Sequence, residues 1–167
     1  MKSLLKNIII SLIFAIGGII VLLVNIAGNQ DWVLNWIGVL MAYLSLAILI
    51  DLDNKIVYYE TFPKILKRIL FISFNTSVLG IILGISYQIL GGWNLNTMMF
   101  YWVFILLLYL ITILTLITLM CVKRNGQNDG WLYKFIIFFN IFLTLVPVLY
   151  PVVLTIIGNG MNSSAGN

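Results

Sequence analysis

Long apolar stretches alternate with short polar breaks along the whole chain. Five stretches are predominantly apolar: 4–28, 32–50, 63–90, 96–122 and 131–157. Each is close to or longer than the roughly 20 residues that a helix needs to cross a hydrocarbon core of about 30 Å. The pattern predicts an all-α protein, a polytopic bundle of about five transmembrane helices. We expect one integral membrane domain over residues 1–167, ending in a short polar tail at 158–167.

All positive charges fall on one side of these predicted spans. The nine basic residues are Lys2, Lys6, Lys55, Lys64, Lys67, Arg68, Lys123, Arg124 and Lys134. Since cytoplasmic loops are enriched in Lys and Arg, we expect a cytoplasmic N terminus, an external C terminus and a plasma or inner membrane location. Trp32, Trp36, Trp93 and Trp102 would then lie near the outer headgroup level, which indole rings prefer.

The first span has a second interpretation as a cleavable signal peptide, because a basic start precedes its apolar run. The run is long for a signal peptide, and Asn25 is an unfavourable residue shortly before a cut after Ala27. Cleavage would leave four spans, whereas retention would leave five.

The composition excludes a water-soluble globular protein. Hydrophobic residues make up 62% of the chain and charged residues only 8%, with a mean hydropathy of +1.12. A soluble domain carries about 25% charged residues, so this chain has too few to cover a surface in water. Nine basic and five acidic residues give a formal net charge of +4. Because all the basic residues lie on one predicted membrane side, they set the topology, and no nucleic-acid partner is expected.

A narrow stripe of small and polar residues runs along the third span. Thr76, Gly80, Gly84 and Gln88 recur at intervals of four residues, which places them near one face of a helix. Gly80 and Gly84 form a GxxxG motif, which lets a second helix backbone approach closely. We therefore predict a helix-packing face here. Similar stripes occur in the first two spans: Ser11, Ala15, Gly18 and Asn25, and Asn35, Gly38, Ala42 and Ser45.

The fifth span combines polar residues with two prolines. Pro147 and Pro151 lack an amide hydrogen and clash with the carbonyl four residues earlier, so a kink is expected. The carbonyls of residues 143 and 147 then lose their helical hydrogen bonds, and a nearby threonine hydroxyl, from Thr144 or Thr155, is expected to replace these bonds only in part. Asn140 and Thr144 either pack helices together or line a polar crevice, and the sequence is compatible with both.

The residue types present argue against an active site or a metal site. The chain has no histidine, which excludes histidine-ligated haem and Ser-His or Cys-His catalysis, and its single cysteine, Cys121, cannot form an intrachain disulfide. Every acid lies outside the predicted span interiors. Only Asp51, Asp53 and Glu60 could together hold a divalent cation, and helix-end solvation is the simpler interpretation. No catalytic residue, cofactor or metal is therefore expected, and the protein is predicted not to be an enzyme.

Two functional hypotheses remain. In the first, a small non-enzymatic protein of bacterial type contacts a membrane-protein partner, or further copies of itself, through helix faces. It would serve as an assembly subunit or as a toxin- or bacteriocin-immunity-like factor. In the second, it is a channel or transporter component for a small or lipophilic solute, with the kinked fifth span and Gln88 lining the path. The small-residue faces, together with the lack of catalytic residues, favour the first hypothesis.

Overall fold

The structure, a computed structural model, describes residues 2–28, 31–54, 61–121 and 131–165. Within these ranges the chain forms five helices: α1 (Lys2–Ala27), α2 (Trp32–Asn54), α3 (Thr61–Ile89), α4 (Leu95–Cys121) and α5 (Trp131–Ala165). All five are long and apolar enough to cross a membrane. The predicted fold class, a bundle of transmembrane helices, is confirmed, whereas the membrane side of each terminus stays a prediction.

Helix ends differ from the predicted span ends where the sequence becomes polar. The clearest case is α5, which continues to Ala165 instead of ending at 157, so most of the predicted polar tail is helical. Hydropathy marks where the chain leaves the hydrocarbon, but helical hydrogen bonding can continue beyond that point. No proline follows Pro151 to interrupt α5.

Neighbouring helices run antiparallel, so α1, α3 and α5 begin at the same end of the bundle. We call this the basic end, because Lys6, Lys64, Lys67 and Arg68 lie there. Helix α5 contacts α1, α2 and α4, while α3 packs mainly against α4. The fifth helix therefore connects an α1–α2 pair to an α3–α4 pair.

The seam between α1 and α2 is built from the two small-residue stripes. Ser11 bonds to Ser45 near the basic end, and Asn25 donates to Asn35 at the other end, with an Nδ2–Oδ1 distance of 2.7 Å. Between them a β-carbon placed on Gly18 would lie only 3.0 Å from the Gly38 carbonyl oxygen. The two backbones are therefore in near contact, which only small residues permit.

The seam between α2 and the α3–α4 pair is wider, and aromatic side chains fill it. Helix α2 approaches α3 and α4 much less closely than it approaches α1 and α5. Across this gap the ring of Trp36 lies 4.8 Å from that of Trp102, and the ring of Tyr43 lies 5.1 Å from that of Tyr109. Since helix separation follows the size of the side chains in contact, these buried rings set the spacing. We call this contact the aromatic seam.

Candidate functional site

The GxxxG motif of α3 lies against α4 of the same chain. The hydroxyl of Tyr101 donates a hydrogen bond of 2.9 Å to the carbonyl oxygen of Gly80. A β-carbon on Gly84 would collide with the Tyr101 hydroxyl and would lie 2.8 Å from Cη2 of Trp36. Both glycines therefore accommodate side chains of this chain rather than presenting an open face to another protein.

Thr76 is exposed, contrary to the prediction that it shares the packing face of Gly80 and Gly84. The buried residues of α3 are Pro63, Leu70, Ser73, Ser77, Ile81 and Gly84, which recur on average every three to four residues. A strict four-residue step advances about 400° around a helix, so each step drifts about 40° from the previous residue. Two such steps separate Thr76 from Gly84, which turns Thr76 about 80° away from the contact.

Asn140 of α5 belongs to a polar cluster that joins three helices in the half of the bundle nearer the basic end. Its Nδ2 donates to Ser11 Oγ of α1 at 2.7 Å, and its Oδ1 accepts from Ser45 Oγ of α2 at 3.4 Å. The two serine hydroxyls are 2.8 Å apart, and all three residues are fully buried. Every member thus has a partner on another helix, which is how a buried polar group is kept in apolar surroundings.

The prolines of α5 lie inside one continuous helix. Pro147 packs over the crossing of α1 and α2, because a β-carbon on Gly18 would lie 3.4 Å from Pro147 Cγ. The hydroxyl of Thr144 donates to Ile141 and that of Thr155 donates to Pro151 and Val152. The expectation that these threonines satisfy the carbonyls of residues 143 and 147 is therefore wrong, since each hydroxyl bonds to a different carbonyl of its preceding turn.

Buried polar atoms without a partner concentrate on α3 and α4. Within the described part of the chain, three atoms of these helices lack a hydrogen bond: Gln88 Oε1, Trp102 Nε1 and Tyr109 Oη. Trp102 and Tyr109 both belong to the aromatic seam, and the Tyr109 hydroxyl lies near Thr144 but outside hydrogen-bond geometry. An unpaired buried group costs about 1–3 kcal/mol, so the aromatic seam is less well satisfied than the Asn140 cluster.

A carboxamide side chain points outward from the middle of a membrane-spanning helix. Asn75 is exposed and lies halfway along α3, which runs from Thr61 to Ile89. Its Nδ2 donates a hydrogen bond of 2.7 Å to the carbonyl oxygen of Phe71 on the same helix. The sequence interpretation missed this residue, although its position offered a signal: Asn75 lies about 200° around the helix from Ser73 and Ser77, which face inward.

Ionisable side chains do not gather into a reactive centre in the described residues. Asp31 and Asp51 are exposed, and the described chain contains no group of three or more His, Cys, Asp or Glu residues that could hold a metal ion. The side chains of Asp53 and Glu60, which the sequence placed beside Asp51 as cation ligands, lie outside the described residues. Cys121 is exposed at the end of α4.

Comparison with known proteins assigns the chain to a family. No curated protein and no solved structure matches it. A family model described as "Protein of unknown function (DUF3902)" matches residues 2–166, a range that contains all five helices. Because the match covers nearly the whole sequence, the chain belongs to the DUF3902 family, a family of proteins of unknown function.

Proposed function

We propose that this protein is a non-enzymatic membrane protein that binds another transmembrane helix through the outward face of α3. Six exposed residues at alternating three- and four-residue intervals define this outward α3 face: Ile72, Asn75, Leu79, Ile82, Ser86 and Ile89. Such spacing keeps one line of side chains directed at a neighbouring helix over several turns. The face is available to a partner, whereas Gly80 and Gly84 already contact α4.

Asn75 is the observation that carries this proposal. A carboxamide has two N–H donors and an oxygen with two lone pairs, and the bond to Phe71 uses one donor. Lipid tails offer no hydrogen-bond partner at this depth, so an exposed amide is unfavourable until another helix covers it. Amide hydrogen bonds between membrane helices contribute about 0.6–2 kcal/mol each. A facing polar side chain would therefore favour association at Asn75.

The chemistry of the face defines the partner class as a transmembrane helix with a donor or acceptor near its middle. A second copy of this chain meets that description, because an amide is complementary to another amide. A different membrane protein with Asn, Gln, Ser or Thr at this depth also meets it. The proposed role is that of an assembly subunit or immunity-like factor in the plasma or inner membrane, with the basic end in the cytoplasm.

The channel or carrier hypothesis has less support. Its proposed lining residue Asn140 is fully buried and hydrogen-bonded to Ser11 and Ser45, and Pro147 packs against Gly18. Gln88, with its unpaired Oε1, is the residue that still favours a polar path. Solute flux through liposomes containing the purified protein, unchanged by Asn75→Leu, would support this second hypothesis over the first.

Cross-linking in native membranes tests the contact proposal. A Cys121→Ser protein with Leu79→Cys carries one thiol on the outward α3 face, one turn from Asn75. We expect a cross-linked adduct, and Asn75→Leu should weaken association roughly 3- to 30-fold, which is the equivalent of one interhelical amide hydrogen bond. An adduct of twice the chain mass identifies a second copy, and any other mass identifies a different partner.

The matched control is Thr118→Val on α4. Thr118 is also exposed, and its hydroxyl donates a hydrogen bond of 2.8 Å to the carbonyl oxygen of Leu114 on its own helix. It differs from Asn75 in having fewer donors and acceptors left without a hydrogen bond. This variant should keep the full yield of adduct. Equal yields from the parent protein and from Asn75→Leu, or no adduct from either, would contradict the proposal.

A further inference from the structure

An open groove runs along the outer surface of the α1–α2 pair at the basic end. Its volume is about 430 Å³, and it is lined by Asn7, Ile10, Phe14, Leu44, Ala47, Ile48 and Asp51. The lining residues repeat at three- and four-residue intervals on both helices, so the groove follows the helix axes. Small Ala47 lies between Leu44 and Asp51 on the α2 side, where a larger residue would fill the space.

The groove is apolar along its length and polar only at one end. Asn7 on α1 and Asp51 on α2 lie at the same end, because the two helices are antiparallel, and they fall within the outermost turn of spans Leu5–Ala27 and Trp32–Leu52. The seven residue-to-residue steps along the helix from Asn7 to Phe14 extend about 10 Å. One leaflet contributes about 15 Å of hydrocarbon, so the groove reaches from the membrane surface through most of a leaflet.

We infer that this groove binds one phospholipid with an amine headgroup, of the phosphatidylethanolamine class. The acyl chain lies along Ile10, Phe14 and Leu44, and the ammonium meets the Asp51 carboxylate at the mouth. The carboxylate selects the headgroup, because it attracts an N–H-bearing cation and repels a headgroup that carries only a phosphate charge. Lys6, exposed and adjacent to Asn7, supplies a cation for the lipid phosphate.

Headgroup chemistry separates this occupant from others. Phosphatidylcholine has the same net charge but a quaternary ammonium with no N–H, so it cannot donate a hydrogen bond to Asp51. Phosphatidylglycerol has no cation and would be attracted only by the general basic charge of this end. The inference is independent of the α3 contact proposal, since it concerns different helices and a different ligand.

Native mass spectrometry of the purified full-length protein tests the inference, with each of the three lipids added separately to delipidated protein. We expect phosphatidylethanolamine to be retained preferentially, and Asp51→Asn to reduce its retention roughly tenfold, the effect of losing one charge-assisted hydrogen bond. Retention of phosphatidylglycerol should not fall. The matched control is Asp31→Asn, which neutralises an exposed acid at the opposite end of α2 while keeping the side-chain oxygen that caps Val33.

A second variant tests the groove itself. Ala47→Leu fills the floor of the groove and should reduce retention of every lipid alike, with an unchanged elution volume in detergent showing that the bundle is folded. Three results would overturn the inference: equal retention of all three lipids, an Asp51→Asn protein that still prefers phosphatidylethanolamine, or an Ala47→Leu protein that retains lipid like the parent. Capture of a protein chain that Ala47→Leu abolishes would assign the groove to a protein partner and would also overturn it.

Discussion

Replacing Gly84 by alanine should destabilise the bundle, whereas the same replacement at Gly80, one helical turn away, should be nearly neutral. The two glycines belong to one GxxxG motif and both face α4, but the atoms that an added methyl group would meet differ. At Gly84 a β-carbon would collide with the Tyr101 hydroxyl, and it would lie 2.5 Å from Tyr101 Cζ and 2.8 Å from Trp36 Cη2. At Gly80 it would lie 2.6 Å from Ile105 Cδ1, the mobile end of a flexible side chain.

The size of the effect at Gly84 follows from three contributions. Overpacking a well-packed core costs about 1–3 kcal/mol. If Tyr101 moves aside, its hydrogen bond to Gly80 is also lost, which costs about 0.6 kcal/mol on average and up to about 1.7 kcal/mol between membrane helices. Replacing glycine by alanine inside a helix returns roughly 1 kcal/mol. The net loss of unfolding free energy is therefore about 1–4 kcal/mol.

At Gly80 the same helix-propensity gain of roughly 1 kcal/mol applies, and rotation of the Ile105 side chain removes most of the collision. The expected change in unfolding free energy is within about 1 kcal/mol of zero. The comparison is well controlled, because the substitution and the helix are the same in both variants and α4 faces both sites, while Gly84 additionally meets Trp36 of α2.

The measurement is reversible unfolding in mixed detergent micelles, followed by tryptophan fluorescence. Trp36 lies against Gly84 and Trp93 donates a 3.4 Å hydrogen bond to the Gly84 carbonyl oxygen, so the emission of these two tryptophans reports the packing there. A double variant that adds Tyr101→Ala should lose much of the Gly84→Ala penalty, since the main colliding group is gone. Equal destabilisation by the two alanines, or a larger effect at Gly80, would refute this account of the α3–α4 contact.

Two further predictions use other parts of the bundle. Tyr109→Phe should be neutral or stabilising in the same unfolding assay, because it removes a buried hydroxyl that is unpaired within the described chain. Tyr43→Phe breaks a hydrogen bond to α3 and should cost about 0.6–1.7 kcal/mol, so equal effects of the two variants would count against these assignments. For orientation, a membrane-impermeant maleimide applied to intact bacterial cells should leave Cys121 unlabelled. It should label a Cys121→Ser protein with Ala165→Cys, and the reverse pattern would exclude a cytoplasmic N terminus.

Hydropathy was sufficient to predict the five helices. A long apolar run that crosses lipid must satisfy its backbone N–H and C=O groups internally, which a helix does. The stripes of α1 and α2 were also recognisable, and Gly18 and Gly38 do meet. The pairing itself was not predictable, since a small-residue face shows that some helix comes close without showing which one. Gly84 illustrates this: its neighbours, Tyr101 and Trp36, lie on two different helices.

Polar residues were harder to place than apolar ones. Inside a membrane span, the immediate sequence does not show which way an amide points: outward Asn75 has Ser73, Thr76 and Ser77 beside it, whereas inward Asn140 is flanked by apolar residues. Their roles separate only when the inward face of each helix is known. The four-residue stripe also misled the placement of Thr76, because packed faces repeat closer to every 3.5 residues.

The two seams of α2 are built from different contacts, backbone against backbone on one side and ring against ring on the other. Helices α1 and α2 meet through their backbones at Gly18 and Gly38, with the Pro147 side chain of α5 packed over that crossing, so sliding α1 along α2 would drive one backbone into the other. The α3–α4 pair contacts α2 through aromatic rings, and rings can reorient while staying packed. Unpaired polar atoms at Trp102 and Tyr109 further lower the cost of rearrangement there. Because Asn75 belongs to α3, which packs mainly against α4, a partner bound at the outward α3 face would act first on the α3–α4 pair, and through α4 on α5.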